Sequence, residues 1–89
     1  MEEPAYRVFI SKTAQKEIKH LDPNTKKKVD RAILAFYENP FMSNTEKLID
    51  HPEAEYRHRI GNWRILFDLL TENTIHIVHI WPRGKNYKK

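Results

Sequence analysis

Apolar and polar positions divide the chain into segments of two periods. Tyr6, Val8 and Ile10 alternate with Arg7 and Phe9, which predicts a short strand. Ser11 then offers an N-cap, and Ala14, Ile18 and Leu21 fall at i, i+4 and i+7, one stripe of a helix. Lys12, Lys16 and Lys19 cover its other side. Asp22-Pro23 restarts the chain as an N-cap followed by a proline suited to the first helical position. Val29, Ala32, Ile33 and Phe36 form a second stripe, with Tyr37 at its edge. Asn39-Pro40 ends that helix, because a residue before proline avoids the helical region. A junction this short predicts a helical hairpin. Residues 41–55 show no clear period and read as irregular.

From Tyr56 the period changes to two. Tyr56–Ile60, Trp63–Leu70 and Ile75–Trp81 are rich in aromatic and β-branched residues. Gly61-Asn62 and Glu72-Asn73 fit two-residue hairpin loops. The expected architecture is α+β in the order β-α-α-β-β-β, an antiparallel sheet with the helical hairpin on one face. No repeat, linker or low-complexity tract divides residues 1–89, so one domain is expected.

Those loops set a register. Ile60 faces Trp63, Arg59 faces Arg64 and Arg57 faces Leu66. In the second hairpin Leu70 faces Ile75, Asp68 faces Ile77 and Leu66 faces His79. One sheet face then collects Tyr56, His58, Ile60, Trp63, Ile65, Phe67, Leu69, His76, Val78 and Ile80, which predicts the core. The other collects Arg57, Arg59, Arg64, Leu66, Asp68, Leu70, Ile75, Ile77, His79 and Trp81, with Arg83 just beyond.

Charge sharpens this division. Lys and Arg number 16 against 12 Asp and Glu, a formal +4. Residues 1–56 hold 9 basic and 10 acidic side chains, and residues 57–89 hold 7 and 2, so the excess lies in the last third. Arg59 opposite Arg64 is an unfavourable pair for a purely structural sheet. With Arg57 and Arg83 on the same face it predicts an anion site, since the guanidinium fork donates two hydrogen bonds to a phosphate. The chain has no cysteine, which removes disulfides, thiol catalysis and cysteine-based zinc sites. His76 and His79, offset by three on a strand, point to opposite faces, so no metal pair is expected. No apolar run is long enough for a membrane span, and the acidic start does not look like a signal peptide, so a cytoplasmic location without membrane contact is expected.

The run Tyr56-Arg57-His58-Arg59-Ile60-Gly61-Asn62-Trp63-Arg64-Ile65-Leu66-Phe67 resembles the Y-R-x-R-x-G-x-Y-R-x-x-Y/F core of RelE/ParE-type toxins. Trp63 stands where tyrosine is commoner. Arg83-Gly84-Lys85-Asn86-Tyr87 is similar to the family's ending, an arginine with a tyrosine four residues on. The opening strand, Ser11-Lys12-Thr13-Ala14 with Leu21, and Lys47-Leu48 before the sheet also fit, so the resemblance covers nearly the whole chain. It implies a RelE-like fold and the toxin of a type II toxin–antitoxin system. The implied activity is a ribosome-dependent, metal-free endoribonuclease that cuts mRNA in the ribosomal A site and inhibits translation. The RNA 2′-OH attacks the adjacent phosphate, leaving a 2′,3′-cyclic phosphate and a free 5′-OH. No cofactor is implied, and the implied partner is a small antitoxin.

By the same resemblance Arg64 stabilises the pentavalent phosphorane, Arg83 lies near the leaving 5′-oxygen, and Tyr87 stacks on a base or positions the phosphate. Arg57 and Arg59 stand where RelE proper has lysines, one of them assigned as general base. Arginine is a poor proton acceptor, with a pKa above about 12, so these two act electrostatically or another group takes the proton. His79, expected on the arginine face, is the candidate acceptor, because imidazole exchanges protons near neutral pH. Its other reading is a half-buried strand histidine. Lys85, Lys88 and Lys89 flank Tyr87 and are candidate RNA contacts, as is Lys47. Lys26-Lys27-Lys28 reads as a solvated helix face. Two alternatives stay open: a ParE-like inhibitor of DNA gyrase, and a non-catalytic ribosome- or RNA-binding relative.

Overall fold

The computed structural model describes residues 4–84. Its elements run β1 (Arg7–Ile10), α1 (Lys12–Lys19), α2 (Pro23–Phe36), β2 (Thr45–Lys47), β3 (Tyr56–Ile60), β4 (Trp63–Thr71) and β5 (Thr74–Pro82). Both expected N-caps form. Ser11 Oγ accepts the Ala14 N–H at 2.9 Å, and Asp22 Oδ2 accepts the Thr25 N–H at 3.2 Å with Pro23 opening the helix. His20 caps the C-terminus of α1, its Nδ1 2.8 Å from the Lys16 carbonyl oxygen.

The sheet order is β1-β5-β4-β3-β2. The α+β architecture is the expected one, with two additions. β1 joins β5 in parallel, which makes the sheet mixed. β2 comes from the stretch read as irregular and pairs antiparallel with β3 at the far edge. Three residues are too few to display a period, so only the pairing reveals this strand.

The helices cover one face. Ala14, Val29, Ile33 and Phe36 close on Ile65, Phe67, Ile75, Ile77 and Ile80 in a single buried cluster. Tyr56, Ile60, Trp63 and Leu69 pack against it, as their alternation predicts.

The β3–β4 register is the one read from Gly61-Asn62, with Arg59 opposite Arg64. Gly61 has φ +54°, the left-handed conformation that a tight hairpin of this kind needs. The β4–β5 register departs from expectation in its middle. Thr71 pairs with Thr74, but Leu69 pairs with Ile75, Asp68 with His76 and Phe67 with Ile77; Leu66 then meets His79 as expected. The ladder skips Leu70 on one strand and Val78 on the other, so two bulges cancel. Between them β5 is turned over. Ile75 and Ile77, expected on the arginine face, are fully buried in the core. His76 and Val78, expected in the core, lie on the opposite side, Val78 against Ala54, Leu66 and Trp81. An unbroken ladder would bury a histidine and expose two isoleucines. Each buried isoleucine contributes about 1.5–3 kcal/mol, more than a disrupted ladder position costs. The same flip puts His76 and His79 on one face, which corrects the opposite-face expectation. Among the described residues no three histidine or acidic side chains group to hold a metal ion.

Candidate functional site: an arginine face with one carboxylate

The face away from the helices is divided in two. At one end the segment before β3 folds over it. Ala54 is buried against Leu66 and Trp81, Asp68 Oδ1 accepts the Glu55 N–H at 2.8 Å, and Glu55 Oε1 accepts the Leu69 N–H at 2.9 Å. The other end carries the arginines. Arg59, Arg64 and Trp81 form one cross-strand row, and Glu46, Arg57, Leu66 and His79 form the next. Arg83 is drawn towards the β3–β4 hairpin by its backbone N–H, which donates to the Asn62 carbonyl at 2.6 Å. Gly84 follows at φ +91°, turning the chain just beyond it.

Arg57, Arg59, Arg64 and Arg83 therefore converge, as their phases predict. Partial burial, together with the charges of Arg59, Arg57 and Arg83, pushes the Arg64 guanidinium below its ordinary pKa. It remains a cation, and its Nη1 donates to the Trp63 carbonyl at 3.4 Å. Glu46, which sequence reasoning missed, enters this group from β2. Its Oε2 accepts from Arg57 Nη2 and lies 3.5 Å from Arg59 Nη2. The Arg57 hydrogen bond, reinforced by the charges of Arg57, Arg59 and Arg64, holds the Glu46 carboxyl below the usual carboxylate range. Arg57 Nε is buried and has no hydrogen-bond partner among the described residues.

His79 lies on the arginine face but in a separate setting. Its Nδ1 is 3.3 Å from Glu17 Oε2, its Nε2 is 3.4 Å from Glu53 Oε1, and its ring stacks on Trp81 with centroids 4.4 Å apart. Leu66 stands between it and Arg57, whose backbone is two strand spacings away, about 10 Å. Glu17 also accepts the Ile80 N–H at 2.8 Å and the Trp81 Nε1–H at 3.1 Å. It thereby covers the part of the β5 edge that β1, ending opposite Ile77, leaves free.

Lys47 does not join the arginines. It alternates with Glu46 along β2, pairs with Tyr56, and lines a groove with Asp50, Glu53 and Asp68. Lys26, Lys27 and Lys28 lie exposed on α2, where Lys26 pairs with Asp30 at 3.1 Å. His58 is buried as expected, edge-on to Phe36 at 5.1 Å. Tyr87, Lys85, Lys88 and Lys89 lie outside the described residues.

Comparison with known proteins agrees with this fold. The archaeal RelE–RelB complex from Pyrococcus horikoshii OT3 is similar at 23% identity, over 92% of this chain and 99% of that one, with a TM-score of 0.76. The RelBE2 toxin–antitoxin complex of Mycobacterium tuberculosis is similar at 21% identity, over 90% and 99%, with a TM-score of 0.76. The YoeB dimer of Staphylococcus aureus follows at 19% identity, over 93% and 99%, with a TM-score of 0.67. At these identities the likeness establishes a shared fold. No curated protein matches the chain. Residues 8–87 match the family described as the ParE toxin of type II toxin–antitoxin systems. With that match spanning nearly the whole sequence, the chain belongs to this toxin family, within the RelE/ParE-type superfamily.

Proposed function

We propose that this toxin is a metal-free endoribonuclease that cuts mRNA at the ribosomal A site and is restrained by a small antitoxin. The observation that carries the reading is Arg59 set directly opposite Arg64, with Arg57 beside them and Arg83 acting on the same guanidinium. Four cations against one ion-paired carboxylate leave an unbalanced positive surface suited to a phosphodiester.

In this reading Arg64 stabilises the charge that develops on the phosphorane oxygens. Arg57 and Arg59 orient the non-bridging oxygens, and Arg83 stabilises the departing 5′-oxygen. The 2′-oxygen forms a bond to phosphorus as the P–O5′ bond breaks. The 2′-OH proton passes to a base, and the 5′-oxygen takes up a proton from its surroundings. Among the described neighbours of the arginines Glu46 carries a carboxylate able to accept the 2′-OH proton. His79 is less well placed, because both its ring nitrogens face carboxylates and Leu66 intervenes. The pH–rate profile of His79→Gln is expected to keep the wild-type shape. A lost ionisation near neutral pH would restore His79 as the acceptor.

An antitoxin partner is supported by two structural neighbours, which are described as a RelE–RelB complex and a RelBE2 toxin–antitoxin complex. A second reading has specific support, since the matching family is named for ParE toxins. ParE-like members poison DNA gyrase and tend to lack the basic catalytic set. Primer extension on mRNA after induction, with and without a translation inhibitor, separates the two. Cuts that vanish with the inhibitor support the ribonuclease. Intact mRNA with accumulated DNA–gyrase cleavage complexes supports the gyrase poison.

A further inference from the structure

We propose that Glu46 is a built-in counterion, which an RNA backbone phosphate displaces from Arg57 and Arg59 on binding. The proposal rests on the ribonuclease reading and deepens it, by assigning how the arginine face discriminates among anions. Glu46 Oε2 accepts from Arg57 Nη2 and lies 3.5 Å from Arg59 Nη2, so one carboxylate oxygen bridges two guanidinium groups. A phosphate offers the same anionic oxygens in greater number.

The carboxylate does not saturate the site. Arg57 Nε is buried without a hydrogen-bond partner among the described residues. A tetrahedral anion with several oxygens can take both Nε and Nη2, whereas Glu46 takes Nη2. Arg64 is held by a carbonyl at 3.4 Å and not by Glu46, so its charge is available to a ligand that spans the row. Glu46 itself sits half exposed on a three-residue edge strand, where its side chain can turn off the two guanidinium groups while staying beside them.

Discrimination follows from competition. Glu46 is tethered beside its arginines, so it competes at a high effective concentration. A single small anion gains little by replacing one carboxylate with another negative charge. A strand that reaches Arg57, Arg59, Arg64 and Arg83 together gains several contacts for one displacement. Glu46 thereby favours backbone phosphates in a strand over free phosphate.

The test is binding, kept apart from chemistry. A short single-stranded RNA with 2′-O-methyl groups, which cannot undergo in-line attack, is titrated into wild type, Glu46→Gln, Glu46→Ser and Arg64→Ala. Inorganic phosphate is the competitor, with chloride matched for ionic strength. Both Glu46 variants are expected to bind the RNA roughly 3- to 5-fold more tightly at low salt. Their log–log salt dependence should steepen by about 0.7, one further cation released. In wild type, phosphate should compete no better than chloride. Unchanged RNA affinity in both Glu46 variants, each confirmed folded by circular dichroism, would overturn the proposal. A gain seen with inorganic phosphate and absent with RNA would overturn it too. If wild type and Arg64→Ala bind the RNA equally, the ribonuclease reading itself fails, a result separate from the other two.

Discussion

Arg59 and Arg64 face each other across a hairpin whose register is fixed by Gly61, so neither can slide away from the other. In the proposed reading a bound phosphate offsets that repulsion. Arg59→Gln is therefore expected to stabilise the folded chain by ~0.5 kcal/mol at low salt while weakening RNA binding. The gain should disappear at high ionic strength, where exposed charges are screened. Urea denaturation at two salt concentrations measures it; equal or lower stability at low salt contradicts the argument. His58 sets a different residue-scale expectation. Thr45 Oγ1 donates its proton to the Pro40 carbonyl at 2.8 Å, so His58 Nδ1–H donates to Thr45 at 2.8 Å. Burial lowers the His58 pKa below its ordinary 6.5. Above that value both folded and unfolded chains hold a neutral ring, and stability is at its full value. As pH falls through 6.5 the unfolded chain takes up the proton while the folded chain resists it, so stability declines until the folded-state pKa is passed. Denaturation midpoints for wild type should drop between pH 7.5 and 5.5 by more than those of His58→Gln. Parallel drops would show that His58 is not the cause.

At the scale of elements, Glu17 makes the clearest commitment. Its carboxylate accepts the Ile80 N–H and the Trp81 indole N–H from an α1 turn lying against the β5 edge. Glu17→Ala leaves that buried backbone donor without its partner, a loss of about 1–3 kcal/mol. Amide exchange at Ile80 should accelerate accordingly, and Glu17→Gln, which keeps one acceptor oxygen, should lose less. Unaltered exchange in the alanine variant would show that the edge is held by other means. The elements also mark where sequence reasoning stops. Gly61-Asn62 fixes its hairpin locally, so the Arg59–Arg64 pair is legible from the chain. The β4–β5 bulges are not, because they answer to packing: Ile75 and Ile77 reach the helices only if the ladder slips, and a period-two count cannot slip. Glu46 is hidden for a related reason. It belongs to a three-residue strand formed only by pairing with β3, and only that pairing sets it beside Arg57. Four of the site's arginines could be read in advance; the carboxylate opposing them could not.

For the whole molecule, the division of charge along the chain becomes a division of surface. The helices and the core they cover form one side, and the folded-over segment 51–55 leaves the arginine end of the other side open. None of these four arginines is among the buried residues, so removing two of them should spare the fold. On the ribonuclease reading, RNA is cut on this face. The most direct measurement compares wild type with the Arg64→Ala/Arg83→Ala double variant on mRNA-programmed ribosomes, with the cut ends identified chemically. Wild type should produce a 2′,3′-cyclic phosphate and a 5′-OH at A-site positions. The double variant, unchanged in thermal unfolding, should cut at least about 10²-fold more slowly. Cleavage at the wild-type rate by the well-folded double variant would rule out the arginine face as the site of cleavage.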